Sequence, residues 1–251
     1  MTWTIQPLCV GVFAGQEQSN IMYGVGHGTK LRNPSVMWLI TDGSSAIVLD
    51  TGIADPEHAR AVHGAAIERS ADQEPARALT LAGVDPADVQ TVILSHLHWD
   101  HASNNHVFPN ARFIVQRAEL EYAIAPLPAH ARYFEAPSAG MQPRWLETAD
   151  RFDIIEGDRH LADGLELMFL PGHTPGLQGV LVQTTAGQYM VASDCVSRYE
   201  SWQGRPSGQW VPSGIFVDLE VYYRSLARVE DVADYVLPAH DMAVFDQPSY
   251  P

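Results

Sequence analysis

The run "TVILSHLHWDH", residues 91–101, constrains this chain more than any other stretch. Its first four residues are apolar throughout and read as a strand buried on both faces. Directly behind them stand His96, His98, Asp100 and His101. One buried histidine is an ordinary core residue. Three imidazoles and a carboxylate within six positions are not, because buried polar groups must find partners. Side chains alternate along an extended segment, so His96 and His98 point to one side. Asp100 and His101 follow as the chain turns into a helix, and face a neighbouring point. The loop thus offers two pairs of ligand-type side chains, which suits two divalent ions roughly 3.5–4 Å apart. Zinc takes both imidazole nitrogen and carboxylate oxygen.

Two ions need further ligands, and three other strand ends supply candidates. "LELMFLPGHTPG" places His173 in a Pro/Gly turn after a strand, "QYMVASD" ends in Asp194, and "YVLPAHD" carries His240. Singly, each has a bland explanation as a turn residue, a cap or a surface histidine. Together they are what a metal site at the edge of a sheet requires.

The rest of the chain reads as alternating strands and helices. "WTIQPLCVGVFA" is a predicted strand, and "NIMYGVGHGTKLRNP" a Gly-rich loop. "SVMWLIT" and "AIVLD" flank a hairpin turn at Asp42-Gly43. Asp55-Pro56 opens a helix, a second helix covers about 74–81, and Asp85-Pro86 starts a helical turn. "RFIVQ" is a strand and "RAELEYAIA" a helix; residues 126–143, with four prolines, form a long loop or lid. "RFDIIEG", "LELMFL", "GVLVQTT" and "QYMVAS" are strands, and a helix from about 218 to 230 precedes "YVLPAH". This order suggests two sheets packed face to face with helices outside. At 251 residues, 46% of them hydrophobic, the chain can form one sizeable core, and we expect a single domain over 1–251. Thirty acidic against 15 basic residues give a formal charge of -15, which repels nucleic acid and anionic membranes. Two cysteines make no disulfide framework. With no signal-peptide pattern and no apolar run near 18 residues, we expect a cytoplasmic protein without a membrane anchor.

"HLHWDH", "PGHTPG", "ASD" and "PAHD", in this order, resemble the signature series of the metallo-β-lactamase superfamily. The likeness runs from "VLDTG" at 48–52 to His240. It implies a four-layer αββα sandwich with the site at one edge of the two sheets. It also implies that His96, His98 and His173 hold one metal ion. Asp100, His101 and His240 hold the second, Asp194 bridges both, and Asp50 supports a ligand from behind.

Within the superfamily the chain is most similar to the N-acyl-homoserine lactonase branch, through "GTKLRNPSVMWLI", "VLDTGI" and an end soon after "AHD". Flavin-linked di-iron proteins of the fold carry Glu where His98 stands and add a flavin domain. Only 11 residues follow His240 here, too few for that domain or for the helical region of glyoxalase II. Where those lactonases place a tyrosine, three residues after the bridging aspartate, this chain has Ser197. Tyr199 is a candidate replacement, and Trp202 and Met22 are further candidate substrate contacts. Trp210, Phe216, Tyr23, Arg198 and Arg205 complete the residues considered around the pocket.

The expectation is therefore a hydrolase with two divalent ions, zinc first among them, acting on a small-molecule lactone. Asp100 orients the attacking water and carries a proton to the leaving group. The same machinery on a cyclic amide or thioester stays open. So do a di-iron redox protein and a metal-dependent binding protein without turnover. The sequence assigns no oligomeric state.

Overall fold

The computed structural model describes residues 2–203 and 209–251. Arg205, one of the residues weighed for substrate contact, lies outside them. Among the described residues, twelve strands form two sheets. The first holds β1 (Thr4–Glu17), β2 (Lys30–Thr41), β3 (Ala46–Leu49), β4 (Ile67–Glu68), β5 (Thr91–Ile93), β6 (Arg112–Gln116) and β7 (Phe152–Ile155), in the order β4-β1-β2-β3-β5-β6-β7. The second holds β8 (Arg159–Ala162), β9 (Leu165–Phe169), β10 (Gln178–Gln183), β11 (Gln188–Ser193) and β12 (Tyr235–Pro238), in the order β12-β11-β10-β9-β8.

The period of two along β2 explains the layering. Val36, Trp38 and Ile40 face the second sheet and pack with Leu165, Leu167, Val180, Val182 and Val191. Met37 and Leu39, between them, face the other way and pack with Leu79 and Ala123 of two outer helices. The second sheet repeats the pattern. Its outer side chains, Met168, Leu170 and Met190, meet Tyr222, Leu226 and Val229 of the helix Leu219–Val232. Helix, sheet, sheet, helix is the four-layer sandwich that the sequence order suggested. Among the described residues no helix is long and apolar enough to cross a membrane.

Three local departures from the sequence reading matter for the site. The predicted loop before Ser35 is strand from Lys30 onward, with Asn33-Pro34 inside it. Proline lacks the N–H that a ladder needs, and here it sits where the β1–β2 register shifts, between the Cys9 and Val12 pairings. The helix opened by Asp55 is α-helical only over Pro56–His58 and then widens into a π-helical turn, Ala59–His63. The short strands β4 and β8 carry too few residues for a periodic pattern to announce them.

Candidate metal centre

The His-rich loop is pinned from both sides. Asp50 lies at the end of β3, in the left-handed region with φ 63°. Its Oδ1 accepts the Ser95 backbone N–H at 2.7 Å, and its Oδ2 accepts the Ser95 hydroxyl at 2.8 Å and His101 Nδ1 at 2.8 Å. From the other side Glu119 Oε1 accepts the Leu97 N–H at 2.9 Å. A carboxylate that fixes one ring nitrogen turns the other toward the cavity, a usual arrangement behind metal-binding imidazoles. Backbone carbonyls do the same for two more rings. His173 donates Nδ1–H to Ile215 O at 2.7 Å, and His240 donates Nδ1–H to Pro34 O at 2.9 Å. The misplaced proline thus supplies a carbonyl that orients His240.

The freed atoms converge. His98 Nδ1 and His173 Nε2 lie 3.2 Å apart. Asp194 Oδ1 lies 3.0 Å from His240 Nε2 and 3.3 Å from His101 Nε2, while its Oδ2 lies 3.3 Å from His173 Nε2. Asp100 Oδ2 stands 3.8 Å from both His101 Nε2 and His240 Nε2. Ligand atoms of His96, His98 and His173 cluster as one set, and those of Asp100, His101 and His240 as another. His96 Nε2, His101 Nε2 and Asp194 Oδ1 are buried without a hydrogen-bond partner. Buried polar atoms are rarely left so. A tetrahedral ion with bonds of about 2.0–2.1 Å has ligand-to-ligand edges of about 3.3 Å. The 3.0–3.3 Å separations around Asp194 and between His98 and His173 lie near that edge, with Asp100 farther out at 3.8 Å, so the donor set fits divalent cations.

Charge divides the cluster. Burial, with the neighbouring imidazoles, holds His96 and His98 well below the usual imidazole range; burial also lowers His173. His101 and His240 are raised, because Asp194 and Asp100 outweigh the burial that opposes their charge. Asp194 is buried too, yet His240, His101 and His173 hold it well below the carboxylate range. Burial thus favours the neutral, metal-binding form of His96, His98 and His173, while the carboxylates favour the protonated form of His101 and His240, whose protons a cation would have to displace.

The His173 loop shows why "PGHTPG" needs both glycines. A Cβ on Gly172, whose φ is 138°, would come within 2.3 Å of Tyr222 Cα. A Cβ on Gly176 would come within 2.3 Å of the Glu119 backbone nitrogen. The loop is wedged between two helices on opposite outer faces, and Gly176 N–H also donates to Glu119 Oε2 at 3.0 Å. Glu119 is fully buried, and burial raises its carboxyl to about 7 despite these backbone donors. Sequence reasoning passed over this residue, since one Glu in an amphipathic helix carries no distinguishing signal.

A cavity of about 630 Å³ opens over the cluster, lined by His98, Asp100, His173, Asp194 and His240 at its floor. That size suits a small-molecule ligand. Its apolar wall comes from Phe13, Trp99 and Ile21, and the lid segment contributes Arg132 and Tyr133. The structure does not bring the other candidate contacts here. Trp202 stacks on Trp210 at 5.6 Å and packs with the third core cluster. Met22 is buried beside Gln18, and Tyr199 packs into the core between the sheets. Phe216 meets Tyr23 edge-on at 5.2 Å, away from the cavity lining. Arg198 holds Asn33 Oδ1 at 2.9 Å and His240 O at 3.2 Å, so it braces the site from behind. Trp202 and Trp210 pack instead against the cluster beneath the helix Leu219–Val232.

The profile of the metallo-beta-lactamase superfamily matches residues 32–240. An N-acyl homoserine lactonase from Bacillus sp is 29% identical over 227 residues, 86% of this chain and 83% of that protein. The N-acyl homoserine lactonase AttM of Azorhizobium caulinodans is 34% identical over 197 residues, 73% of each. Among solved structures, an N-acyl homoserine lactone hydrolase with N-hexanoyl-L-homoserine bound at its catalytic metal centre superposes with a TM-score of 0.80. It is 25% identical and covers 98% of this chain and 96% of its own. With the superfamily profile spanning both sheets and every residue of the cluster from His96 to His240, this chain belongs to the metallo-beta-lactamase superfamily.

Proposed function

We propose that this protein is a lactonase: it hydrolyses a small-molecule lactone at a centre of two divalent ions, zinc by preference. One observation carries the reading. The two oxygens of Asp194 face different imidazole groups, Oδ1 toward His101 and His240 and Oδ2 toward His173. A carboxylate so placed would lie between two cations, one of which His96, His98 and His173 would hold and the other Asp100, His101 and His240. Imidazole and carboxylate donors without thiolate suit zinc. The names of the relatives point to N-acyl homoserine lactones, and a cavity of about 630 Å³ with an apolar wall accepts an acyl chain.

Two divalent ions in this place supply Lewis acidity and a water activated near neutral pH. The chain's own residues do the rest. Asp100 borders the cavity on the His101 and His240 side, where its carboxylate takes the proton of the attacking water. Water oxygen bonds to the lactone carbonyl carbon, the ring C–O bond breaks, and the same carboxyl returns the proton to the alkoxide. The product is the open hydroxy acid. Ser197 is buried behind the site and has no reach to substrate, its hydroxyl unpaired. The phenol within electrostatic reach of Asp100 is Tyr133 of the lid, raised by burial and by that carboxylate. Tyr133 lines the cavity and is the donor we assign to the substrate carbonyl.

The test is metal analysis with a substrate panel of lactones, lactams and thioesters. Two zinc ions per chain and turnover of lactones, lost on chelation, support the reading. Faster turnover of a lactam or thioester, or activity indifferent to chelators, overturns it.

A further inference from the structure

A second constellation stands beside the cavity, built from residues 72 to 77 positions apart. Glu135 Oε1 accepts His58 Nε2 at 2.6 Å and His63 Nε2 at 2.8 Å. Two backbone irregularities create it. The turn Ala59–His63 is π-helical, so residues five apart fall near one face; in an α-helix they would stand about 140° apart. Glu135 is buried, non-glycine and in the left-handed region at φ 50°. Such strain persists where surrounding structure holds it, and it gathers at functional positions. The two other non-glycine residues with positive φ, among those described, are Asp50, which holds His101 from behind, and Ser193, whose hydroxyl donates to Ser95 Oγ.

The three side chains could be read as a third cation site, but the separations decide against it. At 2.6 and 2.8 Å they are hydrogen bonds, shorter than the 3.0–3.8 Å gaps of the main cluster. Burial opposes the Glu135 charge, yet the two imidazole donors hold its carboxyl below the usual range. An ionised carboxylate accepts only, so His63 Nε2 carries the proton that faces it, and in the neutral tautomer Nδ1 is the acceptor. It has no partner among the described residues and is not sealed from solvent. His63 lines the same cavity as Asp100 and His240. Its ring lies flat on the Trp99 indole, centroids 3.9 Å apart and planes at 6°, so the acceptor cannot swing away.

We infer that His63 is a specificity residue. Its Nδ1, held as an acceptor by Glu135 and steadied by His58, receives an N–H or O–H on the non-reacting part of the lactone. A lactone bearing an amide N–H beside the ring is the class that fits. The inference rests on the lactonase reading and adds the feature that sorts one lactone from another.

His63→Phe keeps a ring over Trp99 and removes the acceptor. Glu135→Leu removes the oxygen that accepts from both rings, so nothing holds the His63 proton on Nε2. KM and kcat are measured on an N-acyl homoserine lactone and on a γ-alkyl lactone of equal chain length with no N–H. We expect His63→Phe to raise KM for the amide substrate about tenfold, with kcat within twofold, and to leave the alkyl lactone unchanged. Imidazole 15N NMR reads the tautomer directly and needs no turnover: wild type should show the proton on Nε2, and Glu135→Leu should lose that preference. Equal losses on both substrates, or a wild-type proton on Nδ1, would overturn the inference. Failure of wild type to open either lactone falls on the functional reading instead. In that case the Nδ1 resonance during titration with ring-opened N-acyl homoserine decides the matter, and no shift on saturation sinks it.

Discussion

Asp100 is where charge and shape separate most cleanly. Asparagine keeps the outline and a carbonyl oxygen but neither the charge nor the proton-carrying oxygen. Its carboxylate stands 3.8 Å from two imidazole nitrogens, farther than Asp194, so it is the looser of the two acidic ligands proposed. Asp100→Asn should therefore lower kcat by ~10²–10⁴-fold while metal content stays within a quarter of wild type. Kinetics and metal analysis on one preparation check both halves. Tyr133→Phe deletes one hydrogen bond to the substrate carbonyl, worth on the order of 1 kcal/mol, and should slow turnover about tenfold. An unchanged kcat would remove Tyr133 from the reaction. At this scale the proposed ligands were legible because they cluster in short motifs with a fixed order. Glu135, His58 and His63 were not: each is ordinary alone, and only a π-turn and a strained backbone bring them together. Tyr199 and Trp202 were weighed because they follow Asp194 in sequence. Nearness along the chain is not nearness to the cavity, and both turned inward to pack.

Among the elements, the tightest tolerance is the turn carrying His173. Gly176→Ala would press a methyl against Glu119 Cβ and its backbone nitrogen, each at 2.3 Å. Backbone cannot yield cheaply there, so the variant should lose about 1–3 kcal/mol of stability. It should also shed metal, because the displaced turn carries a ligand. Chemical unfolding and metal content measure the two effects separately; full stability with full metal would show that the wedge has slack. Strands long enough to alternate, such as β2, were readable as strands, and so were helices with an Asp cap and a following Pro. The extent of β2 was not, because Asn33-Pro34 signals a turn locally while pairing with β1 overrides it. The π-turn after His58 has no composition that distinguishes it from an α-helix.

For the molecule as a whole, the cluster is a charge problem that cations resolve. Metal bound at a hundredfold over its dissociation constant adds about 2.7 kcal/mol. For a chain of this size that corresponds to roughly 5–10 °C in melting temperature. Chelation should lower the transition by that amount in a thermal melt, and readdition of zinc should restore it. Asp194 and Asp100 raise His101 and His240 in the metal-free protein. Cation uptake there should therefore release protons, and apparent affinity should fall as pH is lowered. Calorimetric titration in buffers of different ionisation heat counts the protons released; a heat independent of buffer would contradict it. The wedge at Gly172 and Gly176 has a further meaning at this scale. The helix bearing Tyr222 and the helix bearing Glu119 cover opposite faces of the sandwich, yet the turn around His173 touches both. A shift of either helix would press on the turn that carries a single imidazole. A binder gripping the exterior of one helix would have a lever on the reaction from a full layer away, without ever entering the cavity.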